Sequence, residues 1–371
     1  MAYYTRYEKL QKYYKDGTAV EPAVYKKGTN LGVAEYSSIE VCEGQPEPEP
    51  GNYTCCITWE SYDENINFSF NNNDITTKEN PWCTQEKVSS LDFHKSQSEI
   101  ESLDITIDET NSITIMYKPF GFMGYLRSVK LNMPKAASLR AIPSMFDNSI
   151  HLTSINFINF DTSNVTAAQG AFHLCSSLTS LDLSNWDTSN FQDCTDMFSG
   201  CSSLTSLDVS NWNTSNLTIA ESMFNGCSSL TSLDVSNFDM SKVTIASWMF
   251  NDCSSLTSLD VSNWDTSNLT TAESMFDECS SLTSLNLKNW NTSNLTIAES
   301  MFYGCSSLTS LDVSNFDMSK VTNADWMFWK CPLNYIKCTQ AFKDWCWKNQ
   351  KSINLPAAMR EGGTGTWAIV N

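Results

Sequence analysis

MFNGCSSLTSLDVSNFDMSKVTIASW, residues 223–248, is one unit of the repeat that decides the fold. Its Met-Phe pair recurs at Met145, Met197, Met223, Met249, Met275, Met301 and Met327, with Ala171-Phe172 in the remaining place, and every step is 26 residues. Cysteine keeps the same step at Cys175, Cys201, Cys227, Cys253, Cys279, Cys305 and Cys331. So does a large aromatic, as Phe160, Trp186, Trp212, Phe238, Trp264, Trp290 and Phe316. A fixed period of this length marks a solenoid, in which each unit buries its apolar edge only by stacking on the next. Leu230-x-x-Leu233-x-Val235 has the L-x-x-L-x-L core of a leucine-rich repeat, and Leu233 and Val235 alternate with Asp234 and Ser236 as in a strand. SNFDMS then predicts a turn. Leu217, Ala220, Met223 and Cys227 fall on roughly one helical face that ends near Gly226, which predicts a short helix.

The expected fold is therefore α/β: a leucine-rich-repeat solenoid of 26-residue rungs, each a short strand, a turn and a short helix, preceded by a small β-rich module. The aromatic column runs F-W-W-F-W-W-F, a superimposed period of 78 residues that points to duplication of a three-rung block. The seven repeats occupy 145–326. Phe120, Leu126, Val129 and Leu131 precede Phe146, Leu152, Ile155 and Phe157 by one step, so 119–144 reads as an N-terminal capping rung. One step further back, SLDITIDETNSITIMY reads as a β-hairpin around Glu109-Thr110-Asn111. At the other end, 327–371 reads as a cap, with TQAFKDWCWKNQ as a short helix and GTWAIV as a final strand.

Upstream of the array, residues 1–45 are rich in tyrosine, and a Pro/Glu spacer, 46–51, favours an extended chain. The small β-rich module is placed at 52–118 from the runs TCCITW, NINFSF, LDITI and SITIMY.

The chain has 371 residues, with 23 Lys and Arg against 42 Asp and Glu, a net charge of -19. Segment 145–326 holds 3 basic and 20 acidic groups, so -17 of that charge sits on the repeats. Such a surface argues against nucleic acid and against docking on anionic lipid. No run of about 18 apolar residues is present, so no membrane insertion is expected. The first residues lack the apolar core of a secretory signal, which makes a disulfide framework unexpected among the 14 cysteines.

The repeat columns admit functional and structural readings. The cysteine column faces inward and reads as free, buried thiols, and no C-x-x-C or Cys/His spacing suggests zinc. Strand aspartates Asp182, Asp208, Asp234, Asp260 and Asp312 form a column interrupted by Asn156 and Asn286. Carboxylates ~4.8 Å apart repel by about 0.9 kcal/mol in bulk water. A calcium ladder would relieve this, but hydroxyls of nearby Ser and Thr are the expected partners. The Trp/Phe column could offer sugars a stacking platform and is expected to be core. No catalytic motif is present, so the protein is expected not to be an enzyme and to need no cofactor.

The unit MFxGCSSLTSLDVSNFDxSxVT closely resembles the BspA-like leucine-rich repeats of bacterial surface proteins. That resemblance implies adhesion or surface interaction. The head YYTRYEKLQKYYKDGTAVEPAVYKKGTNLG, with the spacer after it, resembles N-terminal attachment segments of virion proteins from gut Bacteroidales (crAss-like) phages. It implies a virion component assembled in the host cytoplasm, a head or tail fibre. Tyr3, Tyr4, Tyr7, Tyr13 and Tyr14 are then candidates for attachment to capsid or tail proteins and for a homo-oligomeric contact. The alternatives are a bacterial cell-surface adhesin and an intracellular protein-binding scaffold. The candidate surface for a host protein or glycan is the strand face: Thr179, Asp182, Thr205, Asp208, Thr231, Asp234, Thr257, Asp260, Thr309 and Asp312.

Overall fold

The computed structural model describes residues 100–107, 113–133 and 139–370, and before them the backbone of six short strands. These are β1 (Tyr13–Lys15), β2 (Thr18–Val20), β3 (Cys55–Ser61), β4 (Phe68–Phe70), β5 (Asn73–Ile75) and β6 (Trp82–Thr84). The array strands follow as β7 (Ile100–Ile107), β8 (Ser128–Asn132), β9 (Ser154–Ile158), β10 (Ser180–Leu181) and β11 (Ser206–Leu207). They continue as β12 (Ser258–Asp260), β13 (Ser284–Asn286) and β14 (Ser310–Val313).

The protein is a β-solenoid with 26-residue rungs. Parallel pairing keeps the sequence step, as in Ser102↔Ser128, Ser128↔Ser154 and Ser180↔Ser206. A second ladder of parallel bridges runs through nine residues at the same step, from Ile115 through Ala141, Ala167, Asp193, Ile219, Ile245, Thr271 and Ile297 to Asn323.

The short helix expected in each rung is replaced by a run of tight turns, which is a correction to the expected α/β rung. Alternate amides in this run point to the next rung. Ala220, Ser222, Phe224 and Gly226 donate to the carbonyls of Ile245, Ser247, Met249 and Asn251 at 2.8–3.0 Å. The amides between them close turns within the rung, as in Asn225 N–H to Ser222 O at 3.1 Å. An α-helix would spend all these amides on its own i−4 carbonyls and leave none for the neighbour. Two positions per rung also adopt left-handed backbone, which breaks a right-handed helix. One column holds Lys118, Ser144, Gly170, Asp196, Ser222, Trp248, Ser274, Ser300 and Trp326. The other holds Phe122, Asn148, Leu174, Gly200, Gly226, Asp252, Glu278, Gly304 and Lys330. A non-glycine residue there costs roughly 1–2 kcal/mol. Four cross-rung hydrogen bonds and full burial of the intervening Met-Phe pair offset that cost.

Met-Phe is therefore the inward side of the turn run. Successive rings in its Phe column stack nearly parallel, Phe172–Phe198 at 5.5 Å and 4°, Phe198–Phe224 at 5.6 Å and 4°. The Trp/Phe column lies beside it and is also core, with Trp264 and Trp290 stacked at 6.2 Å. It offers no exposed platform for a sugar ring.

The turn of the expected hairpin, residues 109–111, lies outside the described residues, and the segments flanking it do not pair as its two arms. One edge of β7 pairs antiparallel with β3 and the other pairs parallel with β8, so no edge is left for residues 113–117. Ile115 instead bridges Ala141. The array thus begins at Ile100, and 119–144 is an internal rung whose strand is paired on both sides. β6 extends the sheet beyond β3, giving the order β6-β3-β7-β8-β9.

At the C-terminal end, Phe328 stacks on Phe302 at 5.8 Å, so the last repeat runs into the cap. There β15 (Tyr335–Thr339) pairs with β14 and with β16 (Thr366–Val370), and α1 (Gln340–Lys348) covers the end of the core. Thr339 caps α1 by accepting the Phe342 amide at 3.2 Å, while Phe342 and Cys346 are buried.

Candidate recognition surfaces

Each rung presents two exposed sides, strand and turn, and they differ in how the repeat fills them. On the strand side the outward residues repeat almost without change. Thr and Ser hold their columns through all seven repeats, from Thr153-Ser154 to Thr309-Ser310, and Asn holds a third from Asn159 to Asn315. The ten candidate residues lie here. All are exposed except Asp312, which is half-buried.

Their carboxylates, and the Thr205 hydroxyl, are committed to the scaffold. Thr205 Oγ1 donates to Thr179 O at 3.2 Å, and Thr283 Oγ1 to Thr257 O at 3.1 Å. Asp182, Asp208, Asp234 and Asp260 each accept the amide two residues on, from Ser184, Ser210, Ser236 and Ser262, at 3.0 Å. The Ser hydroxyls reinforce this at 2.6 Å in Asp208–Ser210 and Asp234–Ser236. Hydrogen bonds from Ser184, Ser210 and Ser236 hold Asp182, Asp208 and Asp234 below the usual carboxylate range. Burial works against the charge of Asp312, but bonds from Lys337 at 2.8 Å and from Ser314 outweigh it. The ladder that repulsion alone would suggest is thus broken into short local turns. Among the described residues no three His, Cys, Asp or Glu side chains converge as a metal site.

The turn side varies from rung to rung. One column on this side, buried at Ser247, reads Tyr117, Pro143, Gln169, Thr195, Glu221, Ser247, Glu273, Glu299, Asp325. Another reads Gly121, Asp147, His173, Ser199, Asn225, Asn251, Asp277, Tyr303, Trp329. Of the ten exposed large apolar residues among the described ones, six sit on this side: Ile115, Tyr117, Phe122, Leu174, Trp326 and Trp329. Its charges are uneven. Near the first rungs Asp147 takes Lys118 at 2.7 Å and His173 at 2.8 Å. Burial opposes the Asp147 charge, yet these bonds hold its carboxyl below the usual range. Nearer the C-terminus carboxylates crowd one another. Partial burial raises Glu273, helped by the charges of Glu299 and Glu221. Burial, with Glu278 beside it, pushes Asp277 up to about 6, and its Oδ1 has no hydrogen-bond partner.

These repeats match the DUF285 family, described as a Mycoplasma protein of unknown function, over residues 114–233, 140–259 and 222–345. The chain belongs to that family. No curated protein matches it. The DUF285 match includes the 119–144 rung and reaches into the cap, as the hydrogen-bonded stack does. It also supports the BspA-like reading of the repeat.

The DUF285 core also fixes the cysteines. The ten described ones are free and buried. Six of the column donate weakly to a carbonyl of the preceding rung, Cys201 Sγ to Phe172 O at 3.1 Å among them. Burial pushes the Cys201 and Cys253 thiols up to about 12, so they are inert rather than reactive. Trp264 and Trp290 likewise donate Nε1–H to Val235 O and Val261 O at 3.0 and 3.1 Å. Trp186 and Trp212 have no such partner. A small cavity of about 40 Å³, lined by Phe157, Phe160, Asp182 and Trp186, lies where the ladder is interrupted between β9 and β10.

Tyr13 and Tyr14 lie in β1, whose backbone pairs antiparallel with β2. Tyr3, Tyr4 and Tyr7 lie outside the described residues. Sequence reasoning missed the turn side because it read that segment as a helix. The signal was available: columns that vary along the array beside columns that hardly do.

Proposed function

We propose that the chain is a non-enzymatic recognition and structural protein, and that it serves as a virion appendage, a head or tail fibre. The observation that carries the recognition reading is the contrast between a nearly constant core and strand face and a turn face whose residues vary along the array. A scaffold of nearly identical units with variation confined to one side is how repeat proteins build binding surfaces. The resemblance of the Tyr-rich head to phage attachment segments supports the virion placement. On this reading residues 1–45 dock on capsid or tail proteins and bring copies of the chain together, while the array meets a host-surface protein or glycan. The protein is assembled in the host cytoplasm and needs no cofactor, nucleic acid or membrane insertion.

The second reading, a bacterial cell-surface adhesin, is favoured by the BspA-like repeats. Gold-labelled antibody against residues 145–326, applied to purified particles and to intact cells, separates them. Label on virions is the expected outcome. Label on the surface of cells that release no particles establishes the adhesin. Recovery solely in the cytosolic fraction overturns both and leaves an intracellular scaffold.

A further inference from the structure

The turn side contains one stretch where shape and charge converge. In the first left-handed column, Trp248 and Trp326 are separated by Ser274 and Ser300. Both serines are buried, Trp248 is half-buried and Trp326 is 50% exposed. Two bulky indoles thus bracket two small residues over three rungs, about 14 Å at ~4.8 Å per rung. Beside the serines, in the preceding position of each rung, stand Glu273 and Glu299, with Asp325 beside Trp326.

The molecule already shows what this neighbourhood attracts. Lys330 lies over the Tyr303 ring, 5.1 Å from its centre, and reaches Glu278 at 3.4 Å. An ammonium over an aromatic face and beside a carboxylate is a favourable arrangement, and it improves as water is excluded. Nothing comparable covers the face of Trp326 among the described residues, while Glu273 is raised by burial and by its acidic neighbours. That strain is relieved by an incoming positive charge.

We propose that the trough from Trp248 to Trp326 docks an extended, cationic peptide segment of a partner protein, with Lys or Arg side chains set against Glu273, Glu299 and the indole faces. Four extended residues span about 13 Å at ~3.3 Å each, which matches the interval between the two indoles. The inference rests on the array being a recognition body and names the chemistry that one part of it recognises.

The test uses the full chain in about 150 mM salt, where unspecific attraction to an acidic surface is screened. The probe is a blocked eight-residue peptide of alternating Lys and Ala, with the Glu/Ala peptide as its counterpart, titrated by calorimetry and tryptophan fluorescence. Saturable one-to-one binding of the Lys peptide alone is expected. Trp248→Ser with Trp326→Ser copies the residue that intervening rungs carry, so the fold is retained, and it should weaken binding at least tenfold. Glu273→Gln with Glu299→Gln should do the same and flatten the salt dependence. Asp208→Asn with Asp234→Asn removes the same charge from the strand face and should change affinity less than twofold. Lack of saturable binding, or an equal loss in the strand-face variant, overturns the proposal. If the Lys peptide is ignored while the protein still binds its target particle or cell, the trough is wrong and the wider recognition reading stands.

Discussion

The strand side and the turn side of this solenoid solve the same stacking problem with different freedom. On the strand side the side chains themselves help join the rungs. Thr hydroxyls reach the preceding carbonyl, and Asn289 Nδ2 donates to Ser262 O at 2.8 Å. A change at one of these bonded positions removes a rung-to-rung bond, which favours repetition of the sequence there. On the turn side four backbone amides per rung make the ladder, and side-chain bonds between rungs, such as Lys118 to Asp147 and Asn251 Nδ2 to Asp277 O, differ from place to place. Variation collects where the backbone has already met its hydrogen-bonding needs. The lesson is that the face carrying the familiar repeat motif is the scaffold, and the face without a motif has room for specificity.

The comparison is broken most severely from inside. Phe224 is fully buried between Phe198 and Phe250, 5.6 Å from each ring. Phe224→Ala should cost about 3–5 kcal/mol in urea unfolding, and both faces should loosen together. A smaller loss confined to one face would mean that the two ladders do not share one core.

Acid–base behaviour should separate the faces in sign. The Asp277 carboxyl is pushed up to about 6 in the folded chain from an ordinary 3.8, so the folded state holds its proton more firmly. Its contribution favours folding at low pH and is lost as pH rises from about 4 to 6. Asp277→Asn should therefore stabilise the protein near pH 7, by about 1 kcal/mol since the group is only partly buried, and change little at pH 4. Asp208 and Asp234 run the other way: held below the usual range, they favour folding above about pH 4 and lose that contribution as pH falls. Unfolding midpoints of the variants between about pH 3.5 and 7 check both signs.

Asp252 has φ +54° in a column where Gly200, Gly226 and Gly304 are glycine. Asp252→Gly should gain up to about 1 kcal/mol in unfolding free energy, because the left-handed strain disappears. Gly304 is the converse case: its φ of +65° would strain any residue with a Cβ, and that Cβ would also displace the Glu278 carboxylate. Gly304→Ala should lower the melting temperature, and an unchanged value would show that the ladder tolerates more than its backbone angles imply.

The smallest effect belongs to the strand surface. Asp234→Asn keeps an oxygen to accept the Ser236 amide and should stay within about 0.5 kcal/mol of the parent by the same unfolding assay.

Much of this was legible in the residues alone. The 26-residue step, the inward Leu, Cys, Met, Phe and Trp columns and the cap helix follow from periodicity, because an apolar residue that recurs at every rung has only its equivalents to pack against. The concentration of acidic charge on the repeats follows in the same way. Other features depend on competition between partners that lie far apart in sequence. Leu217, Ala220, Met223 and Cys227 satisfy a helical spacing, yet alternate amides of this region bond to residues 25 positions later, and only a stacked neighbour makes that choice available. SITIMY looks like the second arm of a hairpin, yet β7 has both edges filled by β3 and β8. The local pattern fixed which residues go inside. The neighbouring rung decided which hydrogen bonds close, and with them which face was left free to vary.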